Sequence, residues 1–345
     1  LTDGEIGAAA SAAAGLGIEP GVTTLHAIEG SFAGQGEGAR GRANARLDRL
    51  RPHLAGLPIT VVPLDSQLDS PADMERIARE GGRLAGGDLF LDGVLGAAFV
   101  PGMARAALDE PYADGLGGNG HLLLNDDLVR EYLTVGARHG VSLGAHAVGE
   151  RSIAQFLDAW EAVVTTDPDA RSLRPRIDHG ILPRKGDITR AAELGVMFSM
   201  QPVFESRSGG PDGMYARRVG PDRIRETHPF RELKEAGVLM VGGSDSPVNP
   251  VHPLDGIRAA VNHSNPDQRL DLFDAVAMFT INAACAAYRE EETGSIEPGK
   301  IADLTMLSHD PRPMDGLAHC EVVETWHKGQ MTYRRADHLA QRGAC

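Results

Sequence analysis

Cysteine is scarce: Cys285, Cys320 and Cys345 are the only three in 345 residues, and they are widely spaced. There is no CxxC and no even framework, which excludes a disulfide-stapled scaffold and makes a reducing, cytoplasmic compartment the expectation. None of the three sits in a recognisable nucleophile motif. Long apolar runs are missing as well. No stretch approaches the roughly 20 residues that span a bilayer. Positive charge is in deficit, with 34 Lys+Arg against 48 Asp+Glu and a formal net charge of -14. That argues against nucleic acid and anionic membrane as partners and leaves a small-molecule substrate, with a homo-oligomer open. The Ala-rich stretch Ala8 to Ala14 has no basic segment before it and no long apolar segment after it, so it reads as a helix rather than a signal peptide. An initial Met is also lacking. The chain opens on Leu1-Thr2-Asp3-Gly4-Glu5, a helix start with Thr2 or Asp3 as N-cap, and the expectation is that something upstream is missing.

Strand-like and helix-like stretches alternate through most of the chain. The strand candidates are Gly21–His26, Leu57–Leu64, Asp88–Gly93, Val141–His146, Pro175–Gly180, Gly195–Pro202 and Val238–Asp245. Helical patterns stand beside them, at Ala45–Leu54, Ala72–Glu80, Asn125–His139, Ser152–Val164, Gly186–Leu194 and Pro229–Ala236. Apolar strands alternating with helices are the pattern of a parallel sheet. The fold class expected is α/β, a (β/α)8 TIM-like barrel. Such a barrel wants eight strands; a count of seven implies that the first is missing from this chain. After Asp255 the pattern changes to an Ala-rich helix, Leu270–Tyr288, and then short β segments. Lys328-Gly329 between two of them signals a hairpin. The expected division is a barrel over 1–288 and a small partial β-sandwich with a tail over 289–345.

Three of the strand candidates end alike. Val238-Leu239-Met240-Val241-Gly242-Gly243-Ser244-Asp245 closes on an acid; Val141–His146 and Arg176–His179 each close on histidine. The C-terminal strand ends of a parallel barrel form its catalytic face. Two histidines and an aspartate there suit a divalent metal, zinc for preference, that activates water. The bland alternative is a histidine in the core or an Asp that caps a turn.

Several motifs resemble the metal-dependent amidohydrolase superfamily, in particular the branch that contains N-substituted formamide deformylase. They are Asp88-Leu89-Phe90-Leu91-Asp92-Gly93, His146-Ala147-Val148-Gly149-Glu150-Arg151, Arg176-Ile177-Asp178-His179-Gly180, Gln201-Pro202, Gly243-Ser244-Asp245-Ser246-Pro247-Val248, and Gly294–Lys300 with Ala302-Asp303-Leu304. The resemblance spans essentially the whole chain. It implies a (β/α)8 barrel with a β-sandwich built from both chain ends. It also implies His146 and His179 as the metal ligands of the fifth and sixth family strands, and Asp245 as ligand and proton shuttle on the eighth. Two departures stand out. The family's first-strand HxH is found nowhere in this sequence, and Asp88 occupies the fourth-strand position where many relatives carry lysine. A bridging carbamylated lysine is therefore not available, and a single-metal site is expected.

The implied activity is hydrolysis of an amide or formamide-like C–N bond in a small molecule, with Asp245 passing the proton. The alternative is a catalytically degraded barrel that binds a small ligand without turnover. Other residues carry weaker signals. His26 ends a strand and reads as a pocket residue. Asp92-Gly93 reads as a turn. Asp178, by side-chain alternation, should point away from His179 and be structural. Gln201 is a pocket candidate. Arg217, Arg218 and Arg223 read as solvated, with one available for an anionic substrate. The loops Val94–Leu122 and Val203–Arg223 are where specificity would lie, and neither contains a readable recognition motif.

Overall fold

The computed structural model describes residues 2–29, 50–66, 68–96, 104–115, 118–312 and 316–336, with Asp88 described in its backbone alone. Parts of the expected helix 45–54, of the loop 94–122 and of the tail 335–345 lie outside the described residues, as do Cys345 and the side chain of Asp88.

Among the described residues seven strands form one sheet: β1 (Thr24–Glu29), β2 (Thr60–Asp65), β3 (Leu84–Phe90), β4 (Ser142–Ala147), β5 (Arg176–His179), β6 (Met197–Met200) and β7 (Met240–Gly242), in sequential order. Every pairing from β2 to β7 is parallel. Parallel neighbours need crossovers, and the helices Asp126–His139, Glu150–Thr166, Lys185–Leu194 and Phe230–Ala236 lie in them. The order never reverses, which is the barrel pattern and not the doubly wound one.

One expected strand is displaced. The stretch Asp88–Gly93 reads as a strand, yet β3 starts at Leu84 and ends at Phe90. Gly86 and Gly87 both lie inside β3, at φ 84° and 99°. A side chain at Gly86 would come within 1.9 Å of the Gly144 carbonyl oxygen on β4. Glycine is what permits that approach.

The crossover helices form where local chemistry starts and stops them. Asn125 caps Asp126–His139 by accepting the Leu128 N–H at 2.9 Å, and Gly140 ends the helix at φ 71°. Between these ends it buries Val129, Tyr132, Leu133 and Gly136, a stripe at i, i+3, i+4 and i+7. β4 is buried at all six positions, as expected of a parallel strand covered on both faces.

The chain groups into two compact units, one of 64–242 with 259–271, the other of 1–63, 243–258 and 272–345. In the second, the helix Asp3–Ile18 begins with the expected capping box between Thr2 and Glu5. Ala14 and Ile18 of that helix pack with Ile59, Leu25 and Tyr333. The strands β8 (Leu304–Leu307), β9 (Val322–His327) and β10 (Gln330–Arg334) form an antiparallel sheet. Its β9–β10 turn is the expected Lys328-Gly329, with φ 50° and 74°. Thr325 donates to the Ile18 carbonyl at 2.8 Å, and His327 Nε2 lies 2.9 Å from the Thr60 hydroxyl. Segments from both ends of the chain thus share one unit.

Candidate active site

His146 is the penultimate residue of β4 and His179 the last of β5. The register sets His146 beside Asp178 and Ala147 beside His179. On strict alternation His179 would face away from His146. Instead, at φ 74° it has left the extended conformation, and the two imidazoles meet edge to face with ring centroids 4.5 Å apart. A positive φ at a non-glycine residue costs about 1 kcal/mol or more. The surroundings enforce it: the next residue, Gly180, donates its N–H to the Ala147 carbonyl at 3.0 Å.

Asp178 is the register partner of His146, so alternation itself sets it on the His146 face, and the departure is confined to His179. There it is structural, as expected. Its Oδ1 pairs with Arg176 Nε at 2.8 Å in buried surroundings. Gly144 makes room, since a Cβ there would lie 2.7 Å from the guanidinium.

A hydrogen bond holds one nitrogen of each imidazole. His146 Nε2 is 3.2 Å from the Gly93 carbonyl oxygen. A carbonyl only accepts, so Nε2 donates and Nδ1 keeps the lone pair. The ring stacks on Phe90 at 4.2 Å between centroids. Burial first, and the neighbouring His179 second, hold its pKa well below the usual histidine value, so it is neutral. His179 Nδ1 lies 2.8 Å from Gln201 Oε1. Gln201 donates its own Nε2 to the Ser199 carbonyl at 3.0 Å, which fixes the amide's orientation. His179 therefore donates from Nδ1, which leaves Nε2 as the nitrogen not engaged by Gln201.

Two important residues escaped the sequence reading. Asp92 reads as part of a turn, yet its carboxylate is fully buried and accepts N–H groups from Ala107, Val148 and Gly149 at 2.9, 3.0 and 2.9 Å. It ties the segment after β3 to the start of the helix Glu150–Thr166, and its Oδ1 lies 3.9 Å from His146 Nε2. Burial pushes this carboxyl up to about 6 against the pull of the backbone donors. An Asp-Gly pair at a strand end was the one signal, and it fits a turn equally well. His228 is the second. It is buried, at φ 53°, with its N–H donating to the Ile181 carbonyl at 2.7 Å. His263 Nε2 donates to its carbonyl at 3.2 Å. Burial, with His263 and His179 adding to it, pushes the imidazole down to about 3. Nothing in its sequence neighbourhood marks it.

The wall beside His179 is apolar. Phe204 lies 6.3 Å from it between centroids. Phe204 and Met214 are half-buried against a core of Leu95, Leu108, Tyr112, Tyr215 and their neighbours. The arginines expected to be solvated divide. Arg218 pairs with Asp114 and Arg223 with Glu150, all four largely buried, while Arg217 donates to the Asp212 carbonyl at the surface at 3.0 Å.

Asp245 belongs to the segment 243–258 of the other unit. It is half-buried at φ 59°, and its carbonyl accepts the Val248 N–H at 2.8 Å. His26 lies within β1. Of the three ligands expected from the sequence, the structure brings His146 and His179 together. Two imidazoles, each with one nitrogen spent on an outer hydrogen bond, suit a cation such as zinc. Among the described residues no group of three or more His, Cys, Asp or Glu is arranged to hold a metal ion. The pair fits as two ligands of a set, not as a whole site.

Comparison with known proteins agrees with this picture. Residues 6–333 match the family described as "Amidohydrolase family". The chain is 30% identical over 260 residues to the putative amidohydrolase YtcJ of Bacillus subtilis, which covers 72% of this chain and 47% of that protein. It is 30% identical over 205 residues to the N-substituted formamide deformylase of Arthrobacter pascens, covering 57% of this chain and 37% of that protein. The chain thus spans less than half the length of these two curated relatives. A solved structure titled an uncharacterized metal-dependent hydrolase, from Pyrococcus horikoshii, superimposes with a TM-score of 0.62 at 27% identity over 81% of this chain and 55% of that one. The fold is an α/β, barrel-like one with a small antiparallel sheet near its C-terminal end.

Proposed function

Because the chain belongs to the amidohydrolase family, we propose that it serves a metal-dependent hydrolysis of a C–N bond, of the amide or formamide type, in a small molecule. The observation that carries this reading is the pair of imidazoles on neighbouring strand ends, His146 and His179, 4.5 Å apart, each with one ring nitrogen held by an outer hydrogen bond. The substrate class comes from the Arthrobacter relative, which is an N-substituted formamide deformylase. The metal comes from the Pyrococcus relative, a metal-dependent hydrolase by title; zinc is our choice on donor type.

His146 and His179 would hold the metal, with Asp245 assigned as third ligand by its motif. A bound divalent cation would lower the pKa of water and polarise the substrate carbonyl. Asp245 would take a proton from the attacking water on its carboxylate and return it to the departing nitrogen. Gln201 holds His179 through Nδ1, which leaves Nε2 as the nitrogen it does not engage. The Phe204 and Met214 wall excludes water and receives the apolar substituent on nitrogen.

Formanilide hydrolysis tests this, followed as aniline released by the full chain with added zinc. The expected result is release that a chelator abolishes and that D245N lowers by about 100-fold or more. Release that survives D245N unchanged would overturn the role of Asp245. A lack of turnover across a panel of N-substituted amides would overturn the hydrolase reading in favour of a barrel that binds without reaction.

A further inference from the structure

The backbone of His228 is held from both sides. Its N–H is spent on Ile181, two residues beyond His179, and its carbonyl on the His263 ring. These bonds keep a non-glycine residue in the left-handed region, a conformation that costs free energy. The side chain is sandwiched. Tyr215 stacks on it at 5.7 Å and Phe230 meets it edge-on at 5.9 Å between centroids. What this cage holds is an imidazole whose Nδ1 is buried and has no hydrogen-bond partner among the described residues. An unmet buried polar atom costs about 1–3 kcal/mol. A phenyl ring would fill a cage of aromatic rings without that cost, so the histidine needs another reason to be there. The bond to the Ile181 carbonyl ties His228 to the segment that follows the His179 strand end. Tyr215 belongs to the same apolar core against which Phe204 and Met214 pack.

We propose that His228 is a substrate-positioning residue whose Nδ1 pairs with the amide group of an N-substituted amide, the substituent packing against Phe204, Met214 and Tyr215. A neutral imidazole serves in either tautomer, donating to the amide oxygen or accepting from the amide N–H. The proposal deepens the hydrolase reading and rests on it for the substrate class. It differs from it in needing binding and not turnover.

The test compares wild type, H228F and H228N as full chains, with two readouts: melting temperature, and formanilide affinity by calorimetry. H228F removes both ring nitrogens and keeps the plane; H228N keeps a polar atom near Nδ1. The expected result is that H228F melts at or above the wild-type temperature, because an unmet polar atom has gone, and binds formanilide about tenfold more weakly. H228N should recover most of that affinity. Unchanged affinity in H228F overturns the proposal. So does a lower melting temperature in H228F, which would mean that the imidazole serves the fold. A wild-type chain that binds no formanilide also overturns it. Binding by wild type without aniline release overturns only the hydrolase reading. Aniline release at wild-type affinity in H228F overturns only the role of His228.

Discussion

Gln201 decides which nitrogen of His179 is spent on an outer hydrogen bond, because its amide is itself oriented by the Ser199 carbonyl. Outer partners of this kind usually alter metal affinity by about 10–100-fold. Q201L should therefore weaken zinc binding by about that factor while Q201E, which keeps an acceptor oxygen, should not; competition against a chromogenic chelator reads both. A second prediction concerns pH. His228 falls from 6.5 in the unfolded chain to about 3 when folded. Below about 6.5 the unfolded chain binds a proton that the folded one refuses, so this group's contribution is complete above 6.5 and is lost as pH falls toward 3. Asp92 acts the other way, since its carboxyl moves from 3.8 up to about 6; it costs stability as pH rises through that window. H228F isolates the histidine. Its melting temperature should fall less than that of wild type between about pH 7.5 and about pH 5, and an equal fall in both proteins would refute the assignment. His146 and His179 were legible as residues that would meet, because each closes a short strand-like run. His228 and Asp92 were not. The role of each depends on which backbone groups of distant segments come to meet it, and no local pattern encodes that.

Among the elements, β3 gives the sharpest test. Gly86 stands at φ 84° with the Gly144 carbonyl where a Cβ would go. Gly140, at φ 71°, has nothing within 4 Å of that position. G86A should cost about 2 kcal/mol or more, since it adds a backbone clash to the strain. G140A should cost about 1 kcal/mol from conformation alone. Urea unfolding of both separates the two effects, and equal losses would mean that β3 and β4 are not so closely apposed. The helix Asp126–His139 offers a milder case: N125A removes the side chain that caps it and should cost about 1 kcal/mol. The periods of helix and strand were plain in the sequence, and so were most element positions. The start of β3 was misjudged: Asp88–Gly93 reads as the strand, and Gly86-Gly87, which weaken a strand pattern, lie inside it. That His179 meets His146 was legible from its motif and its place at a strand end, not from alternation, which holds only while the backbone stays extended.

At the scale of the molecule, sequential parallel strands and a family match over 6–333 agree with what strand–helix alternation implies. The chain's two units draw on distant stretches of sequence, with N-terminal segments beside the C-terminal β strands. Such long-range grouping is invisible to periodicity, which is local. Metal binding is the property on which the functional account depends, and among the described residues the imidazole pair is the arrangement that supports it. The most direct measurement is an equilibrium zinc titration of the full chain beside its H146A/H179A double variant, with melting temperatures recorded to confirm that both are folded. The wild-type chain should take up one zinc, and the double variant should lose this binding. Equal uptake by the two folded proteins would contradict it.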